Sequence, residues 1–372
     1  MDADARIAAA IERLQTQEDP EALKSFIRKG IQFAPLDARL YSLLGIAEER
    51  SGNQAAAEQL YNRALALLPT EIFALTRMSV LDVSQQRTAD AAEKLEIIAR
   101  RWPMRWQSVE HLLPSILSDP QSRAVIVSRF ASEKRLRDTL INSLVRQKAL
   151  LPVAYDVVLE WYNRAVPDLA TTINRLTAAF ISETRYADAY LLFLLTRGEG
   201  ADAGADYVYN GGFQLPFSGN PFDWRVRQQP GVSFEMNTGT EIAAPGIAAG
   251  SESSLAIRFL DTPIQFNNVE QLIRLVPGAY DFSVSYSVRD LKAPKPLQIA
   301  LRCTGNNQIL ATIPFQQGSI ALRSETVRVQ VPVQDCALQR ISVFNAPIPM
   351  SWRNRYSGTL RLNEVGVSRA EG

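Results

Sequence analysis

Residues 36–71 read LDARLYSLLGIAEERSGNQAAAEQLYNRALALLPTE. Apolar residues recur at three- and four-residue intervals, the spacing of helices buried along one face. Ser51-Gly52-Asn53 interrupts the run, so the segment is two helices joined by a tight turn. Gly45 and Ala57 are small where two helices can approach, and Tyr41, Leu44 and Tyr61 are sized to fill the space between them. Ala64 leaves room for a following pair, and Pro69 cannot continue a helix. Pro35, Pro69 and Pro103 stand 34 residues apart, so the pair repeats.

Tyr41, Leu44, Gly45, Gly52, Ala57, Tyr61, Ala64 and Pro69 together resemble the tetratricopeptide repeat over residues 38–71. Residues 72–105 keep the register more loosely, through Leu75, Met78, Ala91, Leu95, Ile98 and Pro103, with Ser79 in the place of Gly45. Residues 4–37 keep it more loosely still. Beyond Pro103 the period is lost, but helical stripes are expected at 108–117, 121–131, 134–147, 152–164, 168–182 and 186–197. The resemblance implies a solenoid whose first helices line a groove faced by Arg39, Ser42, Ile46, Glu49, Phe73, Thr76 and Val80. Two readings stay open: a groove for a peptide or partner protein, or a curved spacer. The facing residues form no charge clamp.

After Arg197 comes GEGADAGAD, residues 198–206, which reads as a linker. From Tyr207 onward the pattern turns to period two. SLAIRFL, EQLIRLV, YDFSVSYSV, PLQIALRC, QILATIPF, ETVRVQVPV, LQRISVFN and TLRLNEVGV are strand-like runs between turn residues. Such spacing predicts an antiparallel sandwich, most simply a jelly roll. The expected organisation is multidomain: an all-α helical repeat domain over 1–197, the linker, and an all-β sandwich over 207–372.

Residues 209–224, YNGGFQLPFSGNPFDW, open the second part. Their glycines permit turns, their prolines stop strand pairing, and their rings can seal a sheet edge. NGGF, then PFDW, SLAIRF, QLIRLVPGAYDFSVSY and a closing SGTL resemble the carbohydrate-binding jelly rolls of the xylan- and glucan-binding type. Helical repeats followed by NGGF and PFDW resemble tetratricopeptide proteins found with bacterial exopolysaccharide gene clusters.

Sugar recognition uses flat aromatic faces and planar polar groups. The candidate carbohydrate-binding residues are Trp352, Gln271, Arg289, Arg302, Arg258 and Trp224. Each has a structural alternative: Trp224, beside Pro221 and Phe222, can plug a sandwich edge, and arginines alternating with apolar residues can be a solvated face. The resemblance also makes a structural calcium a candidate, with oxygens from Asn210, Asp223 and Glu364. The alternative is that these Asn and Asp side chains form turns. No other cofactor is expected.

The composition narrows the chemistry. One histidine, His111, and two cysteines exclude multi-histidine zinc sites and four-thiolate cages within this chain of 372 residues. Lys and Arg number 40 and Asp and Glu 39, so no global field favours nucleic acid. There is no apolar run long enough to span a membrane, and the N-terminus lacks a signal-like apolar core, although a signal or anchor can have been removed. Closely spaced acidic strand motifs, nucleophile elbows and phosphate loops are absent, so catalysis is not expected. Cys303 ends the run LQIALRC and Cys336 follows the run ETVRVQVPVQD, so two neighbouring strands could bring them together; a disulfide, implying an oxidising compartment, and two buried thiols are both open.

The expected function is a non-catalytic adaptor of a bacterial polysaccharide system. Its repeats would dock a protein of the assembly or export machinery and its jelly roll would bind glycan, in the periplasm or cell envelope, with the cytoplasm not excluded. The alternatives are a pure protein-docking scaffold and, less directly, a glycan-modifying enzyme.

Overall fold

The structure is a computed structural model that describes residues 3–16, 19–197, 207–237 and 253–370. The chain divides into two compact units, Met1–Leu169 and Ala170–Gly372.

The first unit is helical. It runs through α1 (Ala3–Gln15), α2 (Pro20–Phe33), α3 (Ala38–Arg50), α4 (Gln54–Leu67), α5 (Ile72–Ser84) and α6 (Thr88–Arg101). It continues through α7 (Leu113–Ser118), α8 (Pro120–Phe130), α9 (Lys134–Val145) and α10 (Leu151–Asn163). Consecutive helices from α1 to α6 pack on one another, as a repeat array requires. The helix expected at 108–117 is mostly 3-10 turns until residue 113. Pro114 has no backbone N–H and is accommodated in the first turn of a helix, so α7 starts only there.

Carboxylates cap four of the helices, α2, α3, α5 and α8. Asp19, Asp37, Glu71 and Asp119 accept from the N–H groups of Ala22, Arg39, Ala74 and Ser122 at 2.9, 3.0, 2.7 and 2.8 Å. Each satisfies a donor that the first helical turn leaves without a partner. Asp37 and Glu71 sit 34 residues apart, so the cap repeats with the period. Between α3 and α4, a Cβ at Gly45 would come within 2.5 Å of the Tyr61 ring. Tyr61 is fully buried there, and its hydroxyl donates to the Glu49 carboxylate at 2.6 Å. Gly52 leaves α3 with φ +82°, and the residue one period later, Gln86, leaves α5 with φ 61°.

The second unit begins with two helices, α11 (Ala170–Ser182) and α12 (Tyr186–Thr196). Ten strands follow among the described residues: β1 (Arg225–Val226), β2 (Val232–Asn237), β3 (Ser254–Pro263), β4 (Val269–Ile273) and β5 (Gly278–Lys292). The rest are β6 (Leu297–Cys303), β7 (Ile309–Pro314), β8 (Gly318–Val331), β9 (Gln339–Asn345) and β10 (Arg355–Arg369). They form two antiparallel five-stranded sheets, ordered β1-β4-β9-β6-β7 and β2-β3-β10-β5-β8. One continuous apolar core lies between the sheets. The fold class is therefore an all-α repeat solenoid followed by an all-β jelly-roll sandwich.

The division between units falls earlier than expected. α11 and α12 group with the sandwich rather than with the repeats, so the boundary moves from 197 to 169/170. The expected linker, 198–206, lies outside the described residues. The physical reason is the Tyr209–Trp224 stretch, which is built against these helices. Phe222 packs on Tyr190 and Phe193 of α12, with ring centroids 5.1 and 5.6 Å apart, and Tyr209 meets Phe193 at 5.0 Å. Buried Asn220 donates to the Asn174 side chain of α11 at 2.9 Å, and Asn174 donates to the Ser218 carbonyl at 2.9 Å.

Cys303 and Cys336 form a disulfide with Cα atoms 4.8 Å apart. It ties the end of β6 to the turn before β9, next to the backbone bond from Thr304 N to Leu338 O at 3.0 Å.

Candidate functional site

Side chains alternate across a strand, so one face of β3, β10 and β5 belongs to the core and the other to solvent. Leu255, Ile257, Leu360, Leu362, Val284 and Tyr286 point into the core. The opposite parity puts Ala256 and Arg258 of β3, Thr359 and Arg361 of β10, and Ser287 and Arg289 of β5 on the outer face. There they line a cleft of about 820 Å³, with Glu235 of β2 and Asp290 at its margins.

The register orders the cleft into two rungs. Arg258, Thr359 and Arg289 are direct cross-strand neighbours; two residues further along, so are Ala256, Arg361 and Ser287. Neighbouring strands lie about 4.8 Å apart, which sets the Arg258 and Arg289 backbones about 10 Å from each other. Arg361 stands between two small residues, Ala256 and Ser287, and its guanidinium donates to Ser254 Oγ at 3.4 Å. One end is closed by a bulge at Gly358, whose φ is +90° and whose Cβ position would lie 2.3 Å from the Asp290 carbonyl oxygen. Asp290 itself has φ 49°, donates its N–H to Ser319 Oγ at 2.9 Å, and accepts the Ser319 hydroxyl at 3.0 Å.

Two of the sequence-predicted sugar contacts, Arg258 and Arg289, therefore meet in one open cleft. The other four do not. Gln271 is fully buried: β4 turns Val269, Gln271 and Ile273 inward together. Its amide donates to the carbonyls of Tyr209 and Phe222 at 2.8 and 2.9 Å, so it anchors the Tyr209–Trp224 stretch. Trp224 is fully buried against Phe213, and its indole N–H donates to the Asn210 carbonyl at 3.0 Å. Arg302 belongs to the other sheet, with its guanidinium 4.5 Å over the Phe344 ring. Burial, together with the neighbouring Arg340, pushes that guanidinium below its ordinary pKa. Trp352 is 70% exposed, on the loop between β9 and β10, and does not line the cleft.

The calcium candidates are engaged elsewhere. The Asn210 side chain accepts from Leu215 N at 2.9 Å and donates to Leu215 O at 2.7 Å. The buried Asp223 carboxylate accepts from Ser218 N, Ser218 Oγ and Trp224 N at 2.6, 2.8 and 2.7 Å. Burial raises its pKa against these bonds. Glu364 is exposed on β10. Among the described residues no three His, Cys, Asp or Glu side chains gather as a metal site.

The first unit carries a smaller groove of about 300 Å³. Ile46, Phe73 and Thr76 line it, beside Leu14, Arg50 and Arg77. Three of the other expected groove residues are engaged by intramolecular partners. Ser42 is buried, hydrogen-bonded to the Glu71 carboxylate; Arg39 is held by Asp37 at 2.7 Å and Asp4 at 2.9 Å; Glu49 accepts from Tyr61. Val80 is exposed and not in the lining.

Sequence reasoning missed Arg361 and Glu235. Arg361 alternates with Leu360 and Leu362 in TLRLNE as Arg258 alternates with Ile257 and Phe259, and that parity could have found it. Glu235 sits on β2, a strand the sequence reading did not include.

No protein-family model and no curated protein matches the chain. Solved structures similar to it include a CBM4 domain, at 14% identity and TM-score 0.30, covering 44% of this chain and 99% of that one. TmCBM61, solved with β-1,4-galactotriose, has 16% identity and TM-score 0.29, covering 44% of this chain and 99% of that one. Pseudomonas aeruginosa pilF has 16% identity and TM-score 0.28, covering 54% of this chain and 78% of that one. At these scores the likenesses decide nothing about ligand or partner.

Proposed function

We propose that the protein is a non-catalytic, glycan-binding adaptor of the bacterial cell envelope, acting in the assembly or export of a surface polysaccharide. The observation that carries this reading is the open cleft of about 820 Å³ on the outer face of the second sheet, floored by Ser, Thr, Ala and Arg side chains. Hydroxyls and guanidiniums on a rigid sheet are pre-placed donors for sugar oxygens. The groove on the first unit, with apolar Ile46 and Phe73 beside Arg50 and Arg77, suits a segment of a partner protein. The Cys303–Cys336 disulfide supports an oxidising compartment. Among the described residues, no helix is long and apolar enough to cross a membrane.

A non-catalytic role is supported by the placement of the cleft acids. Glu235 on β2 shares a rung with Ala256, Arg361 and Ser287, and Asp290 on β5 lies three strand spacings away and three residues beyond Ser287, so their backbones are about 17 Å apart. Paired glycosidase carboxylates are closer, roughly 5–9.5 Å.

Affinity electrophoresis through gels containing a panel of neutral and acidic polysaccharides tests the reading. Retardation is expected for the native protein and for Trp352→Ala, and weaker retardation for Arg258→Ala and Arg289→Ala. Migration unaffected by every polysaccharide removes the glycan-binding role, and release of oligosaccharides on incubation removes the non-catalytic one. A second reading, a scaffold with two protein-docking units, is favoured by one observation: Met350 and Trp352 stand 66% and 70% exposed on one loop. Crosslinking at Trp352 to a partner protein, with no glycan retention, would select it.

A further inference from the structure

Elsewhere on the second sheet three arginines have carboxylate partners. Arg323 pairs with Glu325 at 2.8 Å, Arg328 with Asp281 at 3.2 Å, and Arg355 with Asp261 at 2.9 Å. Arg258, Arg289 and Arg361 have no ion-pair partner among the described residues, although Glu235 and Asp290 stand at the margins of the same cleft. The three arginines thus stand on three adjacent strands; Asp290 is already bound by Ser319, and Glu235 lies across Ala256 on the rung of Arg361 without an ion pair to any of them among the described residues.

The cleft also lacks a stacking surface among the described residues. Phe259 contributes only an edge to the lining; its ring is 3% exposed and packs on Phe266 and Tyr356 inside the core. A neutral glycan gains much of its affinity by laying the C–H face of its rings on exposed aromatic rings. Here the strong interactions on offer are charge-assisted hydrogen bonds, and a guanidinium matches a planar carboxylate with two parallel bonds.

We propose that the cleft ligand is an acidic polysaccharide whose uronate carboxylates are held by Arg258, Arg289 and Arg361. This rests on the glycan-binding reading and adds the chemical class. The spacing of two rungs and three strands presents the guanidiniums to successive carboxylates of one chain, while Ser287 and Thr359 between them face the intervening hydroxyls.

The test uses the full chain and four probes: polygalacturonate, the same polymer with its carboxylates reduced to alcohols, a neutral β-glucan, and dextran sulfate. Titration calorimetry is expected to show binding to polygalacturonate, with loss of at least tenfold in affinity for the carboxyl-reduced polymer. Arg258→Gln, Arg289→Gln and Arg361→Gln are each expected to weaken polygalacturonate binding about tenfold. Raising salt from 50 to 500 mM should weaken it further. All three residues are on the cleft face, and unchanged thermal melts separate lost binding from lost folding. Equal affinity for the carboxyl-reduced polymer or the neutral glucan overturns the uronate assignment but leaves glycan binding standing. So does a preference for dextran sulfate that persists in the three variants. Binding to none of the four probes, with no retardation by any polysaccharide in the wider panel, overturns both.

Discussion

Removing the Cys303–Cys336 bond should cost the second unit roughly 4 kcal/mol while leaving its native structure in place. The magnitude follows from the 33 residues that separate the two cysteines, because closing a loop of that length in the unfolded chain removes about that much conformational freedom at 25 °C. Native geometry is held independently. Thr304 N–H donates to the Leu338 carbonyl at 3.0 Å, and β6 pairs with β9 from Leu297↔Asn345 to Cys303↔Gln339. The effect therefore acts mainly on the unfolded state. Against a typical total stability of about 5–15 kcal/mol it is large. Hydrogen exchange measured by mass spectrometry, with and without reductant, reads it locally. The most protected amides of β6 and β9 should exchange roughly a thousandfold faster after reduction. Peptides from α3 and α4, in the other unit, should be unchanged. Cys303→Ala with Cys336→Ala should reproduce the reduced protein. Equal protection with and without reductant, or two alkylatable thiols in the untreated folded protein, would refute the reasoning.

Gln86→Gly should stabilise the helical unit by about 0.5–1 kcal/mol, since φ 61° suits glycine there as +82° does at Gly52; an unchanged or lower urea midpoint counts against it. Gly358→Ala should destabilise the sandwich by more than about 2 kcal/mol in thermal melts, because its Cβ would lie 2.3 Å from the Asp290 carbonyl oxygen at φ +90°. The Arg39 guanidinium beside it holds the Asp37 carboxyl below its ordinary value of 3.8, so the contribution of this cap is complete above that value and is lost as pH falls through the lower folded value. Asp37→Asn should flatten the acid side of the helical unit's stability curve, and an acid limb identical to the native protein's would contradict this.

Helices were legible wherever packing demands small residues at fixed spacing. Gly45, Ala57 and Pro69 are explicit in sequence because a larger side chain at Gly45 collides with Tyr61 and a proline ends a helix. Strands were legible by alternation, which also marked Arg258 and Arg302 as alternating with apolar residues. Alternation does not say which sheet a strand joins, so Arg302 was grouped with residues that lie on the opposite sheet. Gln271 went astray for a different reason. Its neighbours two positions away, Val269 and Ile273, face the core, and a polar side chain at that parity is there to satisfy buried carbonyls. The unit boundary was illegible because a Gly/Ala/Asp stretch marks a change of chain direction and not which helices share a core.

The seat formed by Asn174, Tyr190 and Phe193 for Ser218, Asn220 and Phe222 means that the sandwich carries its own pedestal. Every contact named in that joint lies after residue 169, within the second unit. The repeat array can therefore lengthen or shorten by whole 34-residue pairs without altering any of those contacts. The number of repeats becomes a property that can vary while the sandwich and the two helices it is built against stay constant.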